Sequence, residues 1–158
     1  MRSRAQRALA AAGMIATLLS TSGMAAATTP ALSASGAHVT AAHRGGDTAV
    51  EVALHATHSP VTIESITTRQ ARRSGLYLDG NMCDRTSTAT KLQTMVIPAG
   101  ATLTLSTKVA EAIAFDLKEP LVVGTSAIIE VTYSVDGTQS TLRFSAPVSS
   151  QPKGIHFP

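Results

Sequence analysis

Two pairs of side chains in this sequence have the donor atoms of a metal site. His55 and His58 flank Ala56-Thr57 in a turn-forming segment, where two imidazoles can converge on a soft or borderline cation. Met82 and Cys83 are adjacent and supply a thioether and a thiol, the donors that copper(I) prefers. Two other interpretations remain open, a polar surface turn for the histidines and a buried Met–Cys contact for the sulfurs.

The sequence contains few residue patterns that are typical of enzyme active sites. The sequence contains no Gly-x-Ser-x-Gly motif and no glycine-rich phosphate loop, and its acids and histidines rarely lie near one another. We therefore expect no enzyme activity. Cys83 is the single cysteine, so no disulfide can form within the chain and the hydrophobic core must hold the fold.

The N-terminal residues 1–27 have the pattern of a secretory signal peptide. Three arginines precede a short apolar run, and small residues end it at Ala25-Ala26-Ala27. The alternative is an uncleaved anchor, but the run of about twelve residues is shorter than the roughly 20 that a bilayer requires. We expect a secreted or extracytoplasmic protein in the cell envelope of a bacterium, without membrane insertion after cleavage.

Removal of these residues also changes the charge. Thirteen Lys and Arg include Arg2, Arg4 and Arg7, so ten remain against ten Asp and Glu. The cluster Arg69, Arg72 and Arg73 is too small for a basic face and is typical of a solvated polar loop. Nucleic acid is therefore excluded as an expected partner.

The remaining chain divides into three parts. Residues 28–46 are rich in Thr, Ala, Ser and Gly without apolar periodicity, which predicts a flexible leader. Residues 47–148 contain short runs of alternating apolar and polar residues and form the expected domain, and residues 149–158 form a tail. The runs predict strands near 50–54, 61–64, 76–78, 91–97, 101–106, 109–117, 127–135 and 142–148.

The last two strands give the clearest pattern. Asp136-Gly137 lies between them and favours a type I′ hairpin turn, in which both central residues have positive φ. No window shows a helical period over ten residues. Seven or eight short strands at this spacing predict an all-β fold, an antiparallel β-sandwich.

Several segments resemble one family. IPAGATLTL (97–105), FDLKEPLVVGTSAIIEVTYSVDG (115–137), FSAPV (144–148) and AVEVALHATHSPVTIESITT (49–68) are similar to the exported copper chaperones called PCu(A)C. The resemblance covers most of 47–148 and implies a cupredoxin-like β-sandwich. It also implies copper as the ligand, although no cofactor is predicted from the residues themselves.

The copper(I) clamp of that family is absent from this sequence. The family pattern is His, ten residues, Met, twenty-one residues and His-x-Met, because copper(I) favours thioether sulfur and imidazole nitrogen. Threading from the IPAG turn and the DLKEPL segment places these positions on Leu78, Ala89, Glu111 and Ile113. Glu111 offers a carboxylate, which suits harder cations, and the other three have no donor atom.

Two functions follow as expectations. The first is a divergent copper chaperone that binds copper through a relocated site, His55, His58, Met82 and Cys83. The alternative is a metal-free extracytoplasmic binding or structural module that acts through a protein partner in the cell envelope.

Overall fold

The computed structural model describes residues 29–78, 90–106 and 110–150, and none of these residues is helical. The predicted signal peptide (1–27) and nearly all of the predicted tail (149–158) lie outside them. No helix capable of crossing a bilayer is found in these three ranges. Ten strands are present there: β1 (Leu32–Thr40), β2 (Thr48–Ala56), β3 (Val61–Thr68), β4 (Arg73–Leu78), β5 (Thr90–Leu92), β6 (Met95–Ile97), β7 (Thr102–Leu105), β8 (Ala110–Phe115), β9 (Ser126–Val135) and β10 (Thr138–Ser149).

The strands form one hydrogen-bonded path that folds into two layers. Its order is β5-β4-β8-β2-β1-β10-β9-β3-β6, with β7 also paired to β2. In the second layer, β3 packs against β2, β4 and β8 of the first. The predicted all-β sandwich is confirmed, with one difference. β1 and β10 run parallel, with Val39 opposite Val148, whereas the other pairs of described strands are antiparallel.

The core lies between the layers, where alternate residues of each strand meet. From Val50 to Ala56 on β2, and from Ser126 to Thr132 on β9, every second side chain is buried and the intervening ones are more exposed, as a strand with one solvated face requires. The largest fully buried side chains include Leu32, Leu54, Ile63, Ile66, Ile97, Leu105 and Ile129.

The C-terminal hairpin is confirmed. β9 and β10 pair in continuous register from Val135–Thr138 to Ser126–Pro147. Asp136 and Gly137 connect them with φ of 49° and 78°, the positive values that a type I′ turn requires.

The expected leader is wrong for most of its length. β1 occupies Leu32–Thr40, antiparallel to β2, and its ends are buried at Leu32 and Val39. Its pattern is hidden in the sequence because a register shift between Ser35 and His38 interrupts the alternation. β1 of the domain therefore occupies nine residues of the predicted leader, 28–46.

The predicted strand 91–97 is also wrong as a single element. β5 pairs with β4 in the first layer, whereas β6 pairs with β3 in the second. The chain crosses between layers at Gln93-Thr94, so one continuous ladder cannot form.

The two strands that follow lie one after the other along the same side of β2. Leu105 of β7 is opposite Val52, and Ala112 of β8 is opposite Val50. β8 is thereby held between β2 and β4, in the middle of the first layer.

Candidate functional site

The candidate site lies on the outer face of β8, the face directed away from the core. Ala110, Ala112 and Ala114 belong to the hydrophobic core. Side chains of a strand alternate between faces, so Glu111, Ile113 and Phe115 share the opposite face. That face is covered nonetheless, because Glu111 is 6% exposed and Ile113 is 2% exposed.

β4 supplies one border of this face. Tyr77 is opposite Glu111 and Gly75 is opposite Ile113, whereas Leu78 is opposite the core residue Ala110 and lies on the other face. The Tyr77 ring lies over Gly75, where an added Cβ would be 2.6 Å from the ring carbon Cε2. Glycine at position 75 thus lets the ring lie flat along its own strand.

A row of polar side chains crosses the sheet at Glu111. Register places Lys91 of β5 opposite Tyr77 and Tyr77 opposite Glu111. Glu51 of β2 is the next carboxylate, and its Oε2 is 3.2 Å from Nε2 of His38 on β1. Residues from five neighbouring strands therefore contribute to one band.

Glu111 is the perturbed acid of this band. Burial raises the pKa of its carboxyl above the ordinary value of 4.5, and repulsion from Glu51 raises it further. A carboxyl in this environment favours its protonated form more than an exposed glutamate does.

The residues at the threaded clamp positions do not fit copper(I). Leu78, 38% exposed, and Ile113 present only alkyl groups, and Glu111 presents oxygen. The sequences of β4 and β8, RSGLYL and AEAIAF, contain no His, Met or Cys. Position 89 lies outside the described residues. Copper(I) prefers sulfur and imidazole nitrogen, which this strand pair does not supply.

The predicted relocated site is only partly within the described residues. His55 lies on β2, and its Nδ1 is 3.1 Å from Oγ1 of Thr102, whereas His58 is exposed in the turn before β3. Met82 and Cys83 lie outside the described residues. Among 29–78, 90–106 and 110–150, no three His, Cys, Asp or Glu side chains are placed to hold a metal ion. The four-residue site stays a prediction.

Strand register relates His55 to the end of β4. β2 and β4 are both antiparallel to β8, so they run in the same direction. His55 lies four residues beyond Glu51, about 13 Å along the strand at roughly 3.3 Å per residue. β4 therefore runs toward the end of the sheet at which His55 lies.

Sequence reasoning missed a pocket beside this face. Arg73, Ser74, Tyr77, Lys91 and Phe115 line an open cavity of about 540 Å³. The sequence predicts a solvated loop at Arg73, but this residue begins β4 and lies opposite Phe115. The period-two spacing of Arg73, Gly75 and Tyr77 is the signal that indicates their common face.

Comparison with known proteins agrees with this architecture. No protein-family model and no curated protein matches the sequence. Among solved structures, the copper-bound PCuAC domain from PmoF2 has a TM-score of 0.63 and 10% identity, covering 77% of this chain and 95% of that domain. The apo PCuAC domain from PmoF1 gives 0.62 and 13%, covering 77% and 96%.

A third structure is that of the copper(I) form of DR1885 from Deinococcus radiodurans. Its TM-score is 0.58 at 26% identity, covering 81% of this chain and 86% of that one. The resemblance inferred from the residues is confirmed at the level of the fold: this chain has the β-fold of PCuAC domains.

Proposed function

We propose that this chain is an exported, non-enzymatic binding protein of copper-chaperone ancestry that has lost the copper(I) clamp of its relatives. Its PCuAC-like fold supports the ancestry, since two of the neighbouring structures contain copper. The observation that carries the loss is the outer face of β8, where Glu111 and Ile113 are buried at the positions threaded to the His-x-Met half of the clamp.

The chemistry of that face argues against a copper(I) carrier. A neutral His and Met pair can bind and release a cuprous ion with little rearrangement of charge. Here a buried carboxyl with a raised pKa takes the place of one donor, and an alkyl side chain takes the place of the other. Cuprous ion has no suitable ligand on this strand pair, so the protein acts as a metal-free module that binds a partner in the cell envelope.

A second candidate function is copper binding at the relocated site. The observation in its favour is the direction of β4, which runs toward the end of the sheet at which His55 lies, and Met82 and Cys83 follow β4 in the sequence. Imidazole, thioether and thiolate together are a suitable set for copper(I).

A copper(I) titration of the purified protein against a colorimetric chelator separates these functions. The proposal predicts no competition at one equivalent. Competition that is lost in the double variant His55→Ala, His58→Ala supports the relocated site instead. His43→Ala is the matched control, because His43 is exposed between β1 and β2 and belongs to neither site.

Export has its own test. Cleavage after Ala27 predicts that the protein recovered from the cell envelope or the medium begins at Thr28, which intact mass spectrometry measures directly. A full-length mass in the membrane fraction would instead show that residues 1–27 remain as an anchor.

A further inference from the structure

The pocket beside the outer face of β8 combines positive charge with aromatic surface. Register brings its walls together, because Lys91 of β5 is opposite Tyr77 of β4, and Arg73 of β4 is opposite Phe115 of β8. The cavity of about 540 Å³ is within the range of roughly 300–1,000 Å³ that is typical of small-molecule sites.

The two cations of this pocket, Arg73 and Lys91, differ from the neighbouring Arg72 in their ion pairing. Arg72 has Asp116 as its partner, with Nε 3.6 Å from Oδ2. Arg73 instead places its guanidinium carbon 6.0 Å from the centroid of the Phe115 ring. Within the described residues, neither Arg73 nor Lys91 has a carboxylate oxygen within 4.0 Å of its side-chain nitrogens. Two positive groups without a carboxylate partner among the described residues favour an anionic ligand.

The aromatic part of the pocket is unusual for this composition. The whole chain has two tyrosines, three phenylalanines and no tryptophan, and two of these five rings meet here. The rings of Tyr77 and Phe115 are 6.1 Å apart between centroids and inclined at 78°, an edge-to-face pair. Both rings line the pocket, and aromatic side chains of this kind favour contact with a further ring.

We propose that this pocket binds a small organic anion in which a carboxylate is attached to a flat ring. The planar guanidinium of Arg73 matches a carboxylate in a bidentate arrangement, and the Lys91 ammonium adds a second positive charge. The ring of the ligand packs against Tyr77 and Phe115. This site requires no copper and goes beyond the proposed function.

The ligand class is tested by titration of the isotope-labelled protein, followed by two-dimensional NMR. Benzoate is the probe, and acetate, inorganic phosphate and benzylamine are the comparators. We expect benzoate to shift the amide signals of Arg73, Tyr77 and Phe115, and to bind at least fivefold more tightly than acetate or phosphate. Benzylamine has the same ring with the opposite charge and is expected to leave these signals unchanged. Equal binding of acetate or phosphate, or binding of benzylamine, overturns the proposal.

Substitutions then test the two halves of the pocket. Arg73→Gln is expected to weaken benzoate roughly tenfold, which is typical for loss of a charge-assisted pair. Tyr77→Leu is expected to weaken benzoate without changing the weak affinity for acetate. Arg72→Gln is the matched control, since it removes a neighbouring guanidinium that is paired with Asp116. An equal effect of Arg72→Gln and Arg73→Gln, or no effect of Arg73→Gln, contradicts the assignment.

Discussion

Replacement of Leu32 by alanine is expected to destabilise the protein strongly, because β1 is part of the core. Leu32 is 0% exposed and pairs with Ala56 on β2. The substitution removes three buried carbon groups, which costs about 2.4 kcal/mol at roughly 0.8 kcal/mol each. The cavity left behind brings the expected loss of unfolding free energy to about 3–5 kcal/mol.

Thermal unfolding and guanidinium titration measure this loss. At roughly 4 °C per kcal/mol for a domain of this size, the midpoint temperature falls by about 12–20 °C. Ser33→Ala is the matched control, since Ser33 is the exposed neighbour on the same strand. If Leu32→Ala and Ser33→Ala have the same small effect, β1 is not packed in the core and the original interpretation of a flexible leader is correct.

Three further substitutions test local features. Glu111→Gln removes an acid whose raised pKa makes the stability of the native protein fall as pH rises above about 4.5. The free energy of unfolding of the variant minus that of the native protein, from denaturant titrations, should therefore be more favourable to the variant at pH 7 than at pH 4. The same difference at both pH values would contradict the burial of the carboxyl. Gly137→Ala forces alanine to a φ of 78° and should lower the free energy of unfolding by at least about 1 kcal/mol. The control Thr138→Ala, at the exposed start of β10, should lower it less. Equal losses of unfolding free energy in the two variants would contradict the type I′ turn. Gly75→Ala should displace the Tyr77 ring, which NMR would detect as shifted ring protons with the fold retained, and unshifted protons would contradict the close ring contact.

The sequence predicts best what local chemistry determines. The β9–β10 hairpin needs only alternation and Asp136-Gly137, so its turn and register follow from adjacent residues. The sequence does not indicate β1, because its alternation is broken beside Gly36, which has a φ of 60°, and one of its two partners, β10, is remote in the chain. The division of 91–97 into β5 and β6 is not predicted, because periodicity does not show which strand a segment pairs with or in which layer that strand lies.

The sequence predicts only part of the candidate site, because strand pairing does not follow from local patterns. Alternation predicts that Glu111 and Ile113 share a face, and the resemblance assigns them to the clamp strand. The neighbours of Glu111 depend on pairing across β2 and β4, so neither its burial nor its repulsion from Glu51 follows from the sequence. The pocket at Arg73 requires the register of three strands and was out of reach.

The central proposal is that the outer face of β8 carries Glu111 and Ile113 where the resemblance implies the His-x-Met half of a copper(I) clamp. The most direct measurement is a chelator competition with copper(I), comparing the native protein with the variant Glu111→His, Ile113→Met, whose two donors share that face. We predict that the native protein does not compete for copper(I) and that the variant does. Tight stoichiometric binding by the native protein that disappears in Glu111→Ala, Ile113→Ala, or a His-x-Met variant that folds and still does not compete, would contradict the account.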